Sequence, residues 1–137
     1  MRAVDPRDSE WSEAWIEGEE GARWRSAMGL GASTGAKASG CSLLEIPVHG
    51  FLPRHTDSAE EIIVVISGRA TVTAGDASPQ ELGTGGLALI PENLPHSVRN
   101  TGVETLRFVA VYAAPEVVTR YEGPVQPDGE CERQSAG

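Results

Sequence analysis

EEIIVVISGRATVTAG, residues 60–75, holds two runs of β-branched and apolar residues broken at Ser67-Gly68 and closed by Gly75. Val, Ile and Thr suit a pleated, half-buried surface, and Ser-Gly and Gly-Asp pairs suit turns, so the stretch reads as two short strands joined by a turn. The same grammar continues on both sides in CSLLEIPV (41–48), GLALIP (86–91) and TLRFVAVYA (105–113). No helical period interrupts these runs, which predicts an antiparallel barrel or sandwich. Within the last run Leu106, Phe108, Ala110 and Tyr112 share one face, and Arg107, Val109 and Val111 take the other.

The ends of the chain read differently. Residues 1–21 are acidic and place Trp11 and Trp15 four apart after a capping Ser9, the pattern of a short amphipathic helix covering a barrel edge. GLGASTGAKASG (29–40) has little to bury and reads as a flexible loop, and EGPVQPDGECERQSAG (122–137) is too polar to add core. The expected organisation is an N-terminal arm and loop over 1–40, a barrel over 41–121 and a flexible tail over 122–137.

Composition sets the class of partner. The chain has 137 residues, enough for one domain that buries roughly two-thirds of its unfolded surface. Eleven basic against twenty acidic residues give a net charge of -9, which repels phosphate backbones and anionic lipid, so neither nucleic acid nor a membrane is an expected partner. No apolar run reaches signal-peptide or membrane-span length, and Cys41 and Cys131 read as reduced thiols, which together point to the cytoplasm.

Two fragments carry the chemistry: PRHTDSAEEIIVVISG (53–68) and GGLALIPENLPHSVRN (85–100). Residues two apart on a strand point the same way, so His55 and Asp57 face inward together, and Glu61 shares their parity. His96 follows a turn built by Pro91, Asn93 and Pro95. Two imidazoles with one or two carboxylates and no thiolate suit one divalent metal, Fe(II) first, with Mn, Zn or Ni as further candidates. The plainer alternatives are a metal-free polar pocket, Glu61 paired on the surface with Arg54 or Arg69, an exposed loop for His49, and tryptophans that cover the barrel.

These fragments resemble the two motifs of the cupin superfamily. In the first motif His55, Glu61 and Gly68 match; in the second, Gly85, Pro91, His96 and Asn100 match, all at the family's spacing. Three positions depart: Gly50 falls one residue late, Asn93 replaces a turn glycine, and Asp57 replaces the second histidine. The resemblance implies a cupin-type jelly-roll barrel, a double-stranded β-helix, and a metal site from His55, Asp57, Glu61 and His96. Three arrangements stay open: all four as ligands; His55, Glu61 and His96 as ligands with Asp57 as a base; or His55, Asp57 and His96 as ligands with Glu61 beside them.

The function implied is that of a metal-dependent enzyme in which Asp57 and Glu61 move protons on a small organic molecule, aromatic or enolisable. An iron-dependent oxygenase is the first expectation, a redox-neutral cyclase, isomerase or lyase the second, and a non-catalytic ligand-binding module the third. A cavity walled by Ile63, Val65, Leu87, Leu89, Val98 and Phe108 is expected around the metal, and a homodimer is expected from the family's habit and the open edges of a small barrel.

Overall fold

Strict alternation in Leu106–Tyr112 is the simplest thread through the architecture. Leu106, Phe108, Ala110 and Tyr112 are all buried, while Arg107 and Val111 are exposed on the opposite face. This strand has neighbours on both sides, and the sheet they begin extends to six strands. In the computed structural model, which describes all 137 residues, the strands are β1 (Ser12–Trp15), β2 (Arg23–Met28), β3 (Gly40–Ile46), β4 (Phe51–Asp57), β5 (Glu61–Ser67), β6 (Ala70–Ala74), β7 (Gln80–Leu82), β8 (Leu87–Ile90), β9 (His96–Asn100), β10 (Leu106–Tyr112), β11 (Val117–Val125) and β12 (Glu130–Ala136).

They form two antiparallel six-stranded sheets, ordered β1-β2-β3-β10-β5-β8 and β12-β11-β4-β9-β6-β7. Consecutive strands repeatedly cross from one sheet to the other, which is the expected all-β jelly roll. No helix is long and apolar enough to cross a membrane.

Register separates the interior into two ends. At one end Leu106 stands opposite Ile46, and with Ile63, Val65, Val98 and Phe108 these residues form a dry core, each 2% exposed or less. At the other end Tyr112 stands opposite Glu61 and His55 opposite His96, so buried polar groups gather there. The residues expected to wall a cavity therefore do something else. Ile63, Val65, Val98 and Phe108 fill the dry end, and Leu87 and Leu89 lie on the outside of β8, 65% and 62% exposed.

Asn100 closes the dry end. Its buried amide donates to the carbonyls of Ile46 and Glu104, both at 2.9 Å, and its side-chain oxygen accepts from the Gly102 N–H. Glycine is required at Gly68, where φ is +92° and a Cβ would stand 3.0 Å from the Leu106 backbone. The two mild departures from the motif have a local explanation. Asn93 takes φ +59° where glycine was expected, and His49, not Gly50, adopts a left-handed φ of +66° at the position one residue earlier.

Both ends of the chain depart from expectation. Of the helix-or-arm alternatives, the N-terminal segment is an arm: beyond a one-turn 3-10 segment at Pro6–Asp8, residues Ser12–Trp15 are strand, paired with Arg23–Met28. Helices this short are marginal alone, whereas a strand here adds its backbone to β2 and turns Ala14 and Trp24 inward. Trp11 lies under the Arg25 guanidinium at 4.5 Å. The Gly29–Gly40 loop is tied down, since Ala32 N–H donates to Pro115 O and Ser33 Oγ–H to Gly137 O.

The C-terminal residues 122–137 are also strand over most of their length: β11 runs to Val125 and β12 pairs with it, with Val125 and Ala136 buried. Hydropathy could not show this, because an edge strand held by backbone hydrogen bonds needs few apolar residues.

Asn100→Ala leaves two carbonyls without their donor at a dry end of the barrel, so it is expected to destabilise the fold by about 2–4 kcal/mol, lowering the melting temperature by roughly 10 °C. A thermal melt within about 2 °C of wild type would show that the amide does not hold this end.

Candidate metal centre

β4 and β9 are neighbours, and their register sets His55 directly against His96, with ring centroids 4.2 Å apart. Each imidazole is oriented by its own chain. His55 Nδ1–H donates to Pro53 O at 2.7 Å and His96 Nδ1–H to Leu94 O at 2.8 Å, which leaves both Nε2 atoms turned to the interior. Asp57 follows His55 by one strand period, and its main-chain carbonyl accepts the Asn93 N–H at 2.8 Å, tying the turn before His96 to the strand bearing Asp57. Thr119 on β11, paired opposite Asp57, donates its hydroxyl to Asp57 Oδ1 at 2.5 Å.

Glu61 opens β5 in the other sheet and reaches across. Its Oε1 lies 2.9 Å from His96 Nε2, and Asp57 Oδ2 lies 3.2 Å from the same nitrogen and 3.7 Å from His55 Nε2. All four expected residues are therefore brought together, each no more than 4% exposed. Glu61 is not on the surface: Arg54 pairs with Glu122 and Arg69 with Glu81. His49 is exposed on its loop, and Arg107 is exposed beside Glu45.

The three donor atoms of His55, Asp57 and His96 lie within 4.8 Å of one another. Asp57 Oδ2, Glu61 Oε1 and His96 Nε2 are fully buried and, despite their closeness, none has hydrogen-bond geometry to a partner. The two carboxylate oxygens crowd around His96 Nε2 as ion-pair contacts. Two carboxylates and two imidazoles arranged in that way fit a divalent cation.

Without a metal, the electrostatics express the same demand for positive charge. Burial works against the charged form of His96, yet Asp57 and Glu61 outweigh it and lift the imidazolium to about 10. His55 is pushed down to about 4, first by burial and then by the charge on His96. Burial raises Asp57, but His96, His55 and Thr119 more than offset this and hold its carboxyl below the ordinary range. Burial also raises Glu61, and there it prevails with help from the Asp57 charge, against the pull of His96.

Above the cluster is a cavity of about 870 Å³ between the sheets. Its wall is aromatic and polar: Trp24, Tyr121 and His55 follow one another at centroid distances of 5.3 and 5.2 Å, and Tyr112 stands 3.3 Å from Ser42 Oγ. Burial, reinforced by the nearby carboxylates, raises both phenols, Tyr112 well above its ordinary range, so they remain hydrogen-bond donors.

Sequence reasoning had placed Tyr112 on the inward face and given it no role. Thr119 and Tyr121 follow the same alternation in VVTRY and could have been found by it. Arg133 from β12, which also lines the cavity, left no signal, because its segment reads as a polar tail.

Comparison with known proteins agrees with this geometry. The family model described as "Cupin domain" matches residues 42–112. No curated protein matches the chain in sequence. The polyketide cyclase RemF from Streptomyces resistomycificus is similar in structure, with a TM-score of 0.65, 26% identity, and coverage of 82% of this chain and 78% of that one. An oxalate decarboxylase from Lactobacillus farciminis, in a formate complex, superposes with a TM-score of 0.66 at 20% identity over 80% of this chain, which spans only 32% of that protein. An RmlC-like cupin from Methanocaldococcus jannaschii, with a double-stranded β-helix fold, shares 21% identity over 58% of this chain and 73% of its own, with a TM-score of 0.54. With more than half of its residues covered by the family model, and with both motif histidines facing each other inside a jelly roll, this chain belongs to the cupin family.

Proposed function

We propose that this chain is a metal-dependent cupin enzyme that carries out redox-neutral proton transfer on a small, planar, oxygen-bearing organic molecule. The observation that carries the reading is the cavity of about 870 Å³ whose aromatic wall meets His55, Asp57 and Glu61, with buried His96 held against the two carboxylates. That volume lies in the range of small-molecule sites, and its lining joins aromatic side chains to many polar ones, the cluster among them. The likeness to a polyketide cyclase over most of both chains supports the same class of ligand. The oxalate decarboxylase, at 20% identity and with a third of its length spanned, bears on the fold alone.

In this reading His55 and His96 ligate through Nε2 and Asp57 through Oδ2, while Glu61, hydrogen-bonded through no fixed partner, takes and returns protons at the substrate. Fe(II), Mn(II), Zn(II) and Ni(II) all suit the donor set. The metal supplies Lewis-acid activation of a substrate oxygen. Tyr112 and Tyr121 donate hydrogen bonds to oxygens on the ligand, Trp24 and Tyr121 stack on its plane, and the closed dry end keeps water from entering behind it.

A second reading, an iron-dependent oxygenase, is favoured by the grouping of two histidines with one carboxylate, which leaves metal positions open. Outside the cavity, exposed Ile62, Ile66, Leu87 and Leu89 on the outer face of one sheet support the homodimer.

Three outcomes are expected. Elemental analysis should find about one divalent metal per chain, lost in His96→Ala, and Thr119→Val should weaken metal affinity about 10–100-fold by releasing Asp57; unchanged metal content in His96→Ala would misplace the centre. Turnover of a candidate polyphenol or enol should proceed at the same rate without oxygen, whereas oxygen consumption matched to turnover would transfer the case to the oxygenase. Light scattering should return twice the chain mass of 14.5 kDa, and a monomer at micromolar concentration would remove the dimer.

A further inference from the structure

We infer that Arg133 is a substrate-anchoring residue whose guanidinium binds one oxyanion of the planar ligand, a phenolate, enolate or carboxylate; this rests on the metal-dependent reading proposed above. The argument starts from register. Arg133 stands directly opposite Thr119 in the β11–β12 pair, so the two side chains share a face. Thr119 is the residue that donates to Asp57, and it faces the interior. Arg133 therefore leaves its backbone roughly 5 Å from a residue in contact with the metal centre. Ser135, one strand period on, also reaches Thr119, which confirms the direction of that face.

The guanidinium is used unequally. Nη2–H donates to Asp128 Oδ1 at 3.0 Å and to the Val125 and Gln126 carbonyls at 3.3 and 3.5 Å, contacts that hold the β11–β12 turn. Nε is fully buried and has no partner, although the side chain lines the cavity. A buried, unpartnered donor on a charged group is unfavourable, and an anionic oxygen brought beside the guanidinium by a ligand offsets that cost. The other arginine with a buried, unpartnered Nε, Arg25, pairs with Glu45, lies over Trp11 and does not line this cavity.

The surroundings define the ligand further. Trp24 and Tyr121, their rings tilted by 31°, form an aromatic wall that continues to His55 in the cavity Arg133 also lines, so a ring system lying against it offers one oxygen to the metal and another to Arg133. Asp5, Asp8 and Glu10 of the N-terminal arm also line the cavity and outnumber the arm's one basic side chain there, Arg2, so the arm repels a ligand carrying several negative charges. The class that fits is a planar monoanion, and Arg133 is the group that separates it from a neutral analogue.

The test uses full-length protein loaded with Zn(II), which is redox-silent, and two probes: 1-hydroxy-2-naphthoate, planar with one carboxylate, and 1-naphthol, its neutral counterpart. Titration calorimetry should show that Arg133→Gln weakens the naphthoate at least about tenfold and leaves naphthol unchanged, while Arg133→Lys recovers part of the loss. Zinc content should stay at one per chain in all three proteins. Equal naphthoate affinity in wild type and Arg133→Gln, both holding zinc, overturns the anchor and leaves the metal reading intact. Equal weakening of both probes, with a lowered melting temperature and no rescue by lysine, also overturns it and reduces Arg133 to a turn-holding role. Failure of wild type to bind either probe at millimolar concentration overturns the ligand class. Failure of wild type to hold zinc sinks the underlying metal reading instead.

Discussion

The pairing of β4 with β9 is the constraint on which the centre depends. Its register brings His55 and His96 together although forty residues of chain separate them, and a slip of one residue would turn one ring to the outside. Both rings donate to a carbonyl two residues earlier, so each strand orients its own imidazole before any ligand arrives. The hydrogen bond from Asn93 to the Asp57 carbonyl then couples the turn that delivers His96 to the strand that delivers Asp57. Ligand geometry and strand pairing are, in this sense, one interaction.

That arrangement places unfavourable chemistry inside a protein. Two carboxylates converge with a histidine at one end of the barrel, almost wholly removed from water, and without a cation the only positive charge among them is a proton on His96. The opposite end balances this with a dry cluster around Ile46, Leu106 and Phe108, closed by Asn100. Division of labour along the strands therefore explains why the hydrophobic residues of the two motifs do not wall the cavity. They make the end of the barrel that permits a strained polar end to exist.

Much of the fold was legible because the information was local. Alternation in residues 106–112, β-branching in 60–74 and the turn residues at Gly68 and Asn93 each express a conformational preference that no distant contact overrides. The four polar site residues were legible for the same reason, being carried by strand parity and turn chemistry. The N-terminal arm and the C-terminal strand were not. Trp11 and Trp15 fit a helix equally well by spacing, and only the availability of β2 as a backbone partner makes Ser12–Trp15 extended. Glu130–Ala136 carries no apolar signal, and only the exposed edge of β11 gives it a place.

By itself, then, the sequence determined the strand class, the family motifs and the presence of two imidazoles and two carboxylates aimed inward, because those depend on side-chain type and period. The tertiary structure decided that Glu61 crosses from one sheet to meet His96 from the other, that Thr119 holds Asp57, and that Trp24, Tyr112, Tyr121 and Arg133 surround the cavity. These contacts join residues from strands far apart in the chain, and their selection rests on sheet order and register, which no local preference encodes.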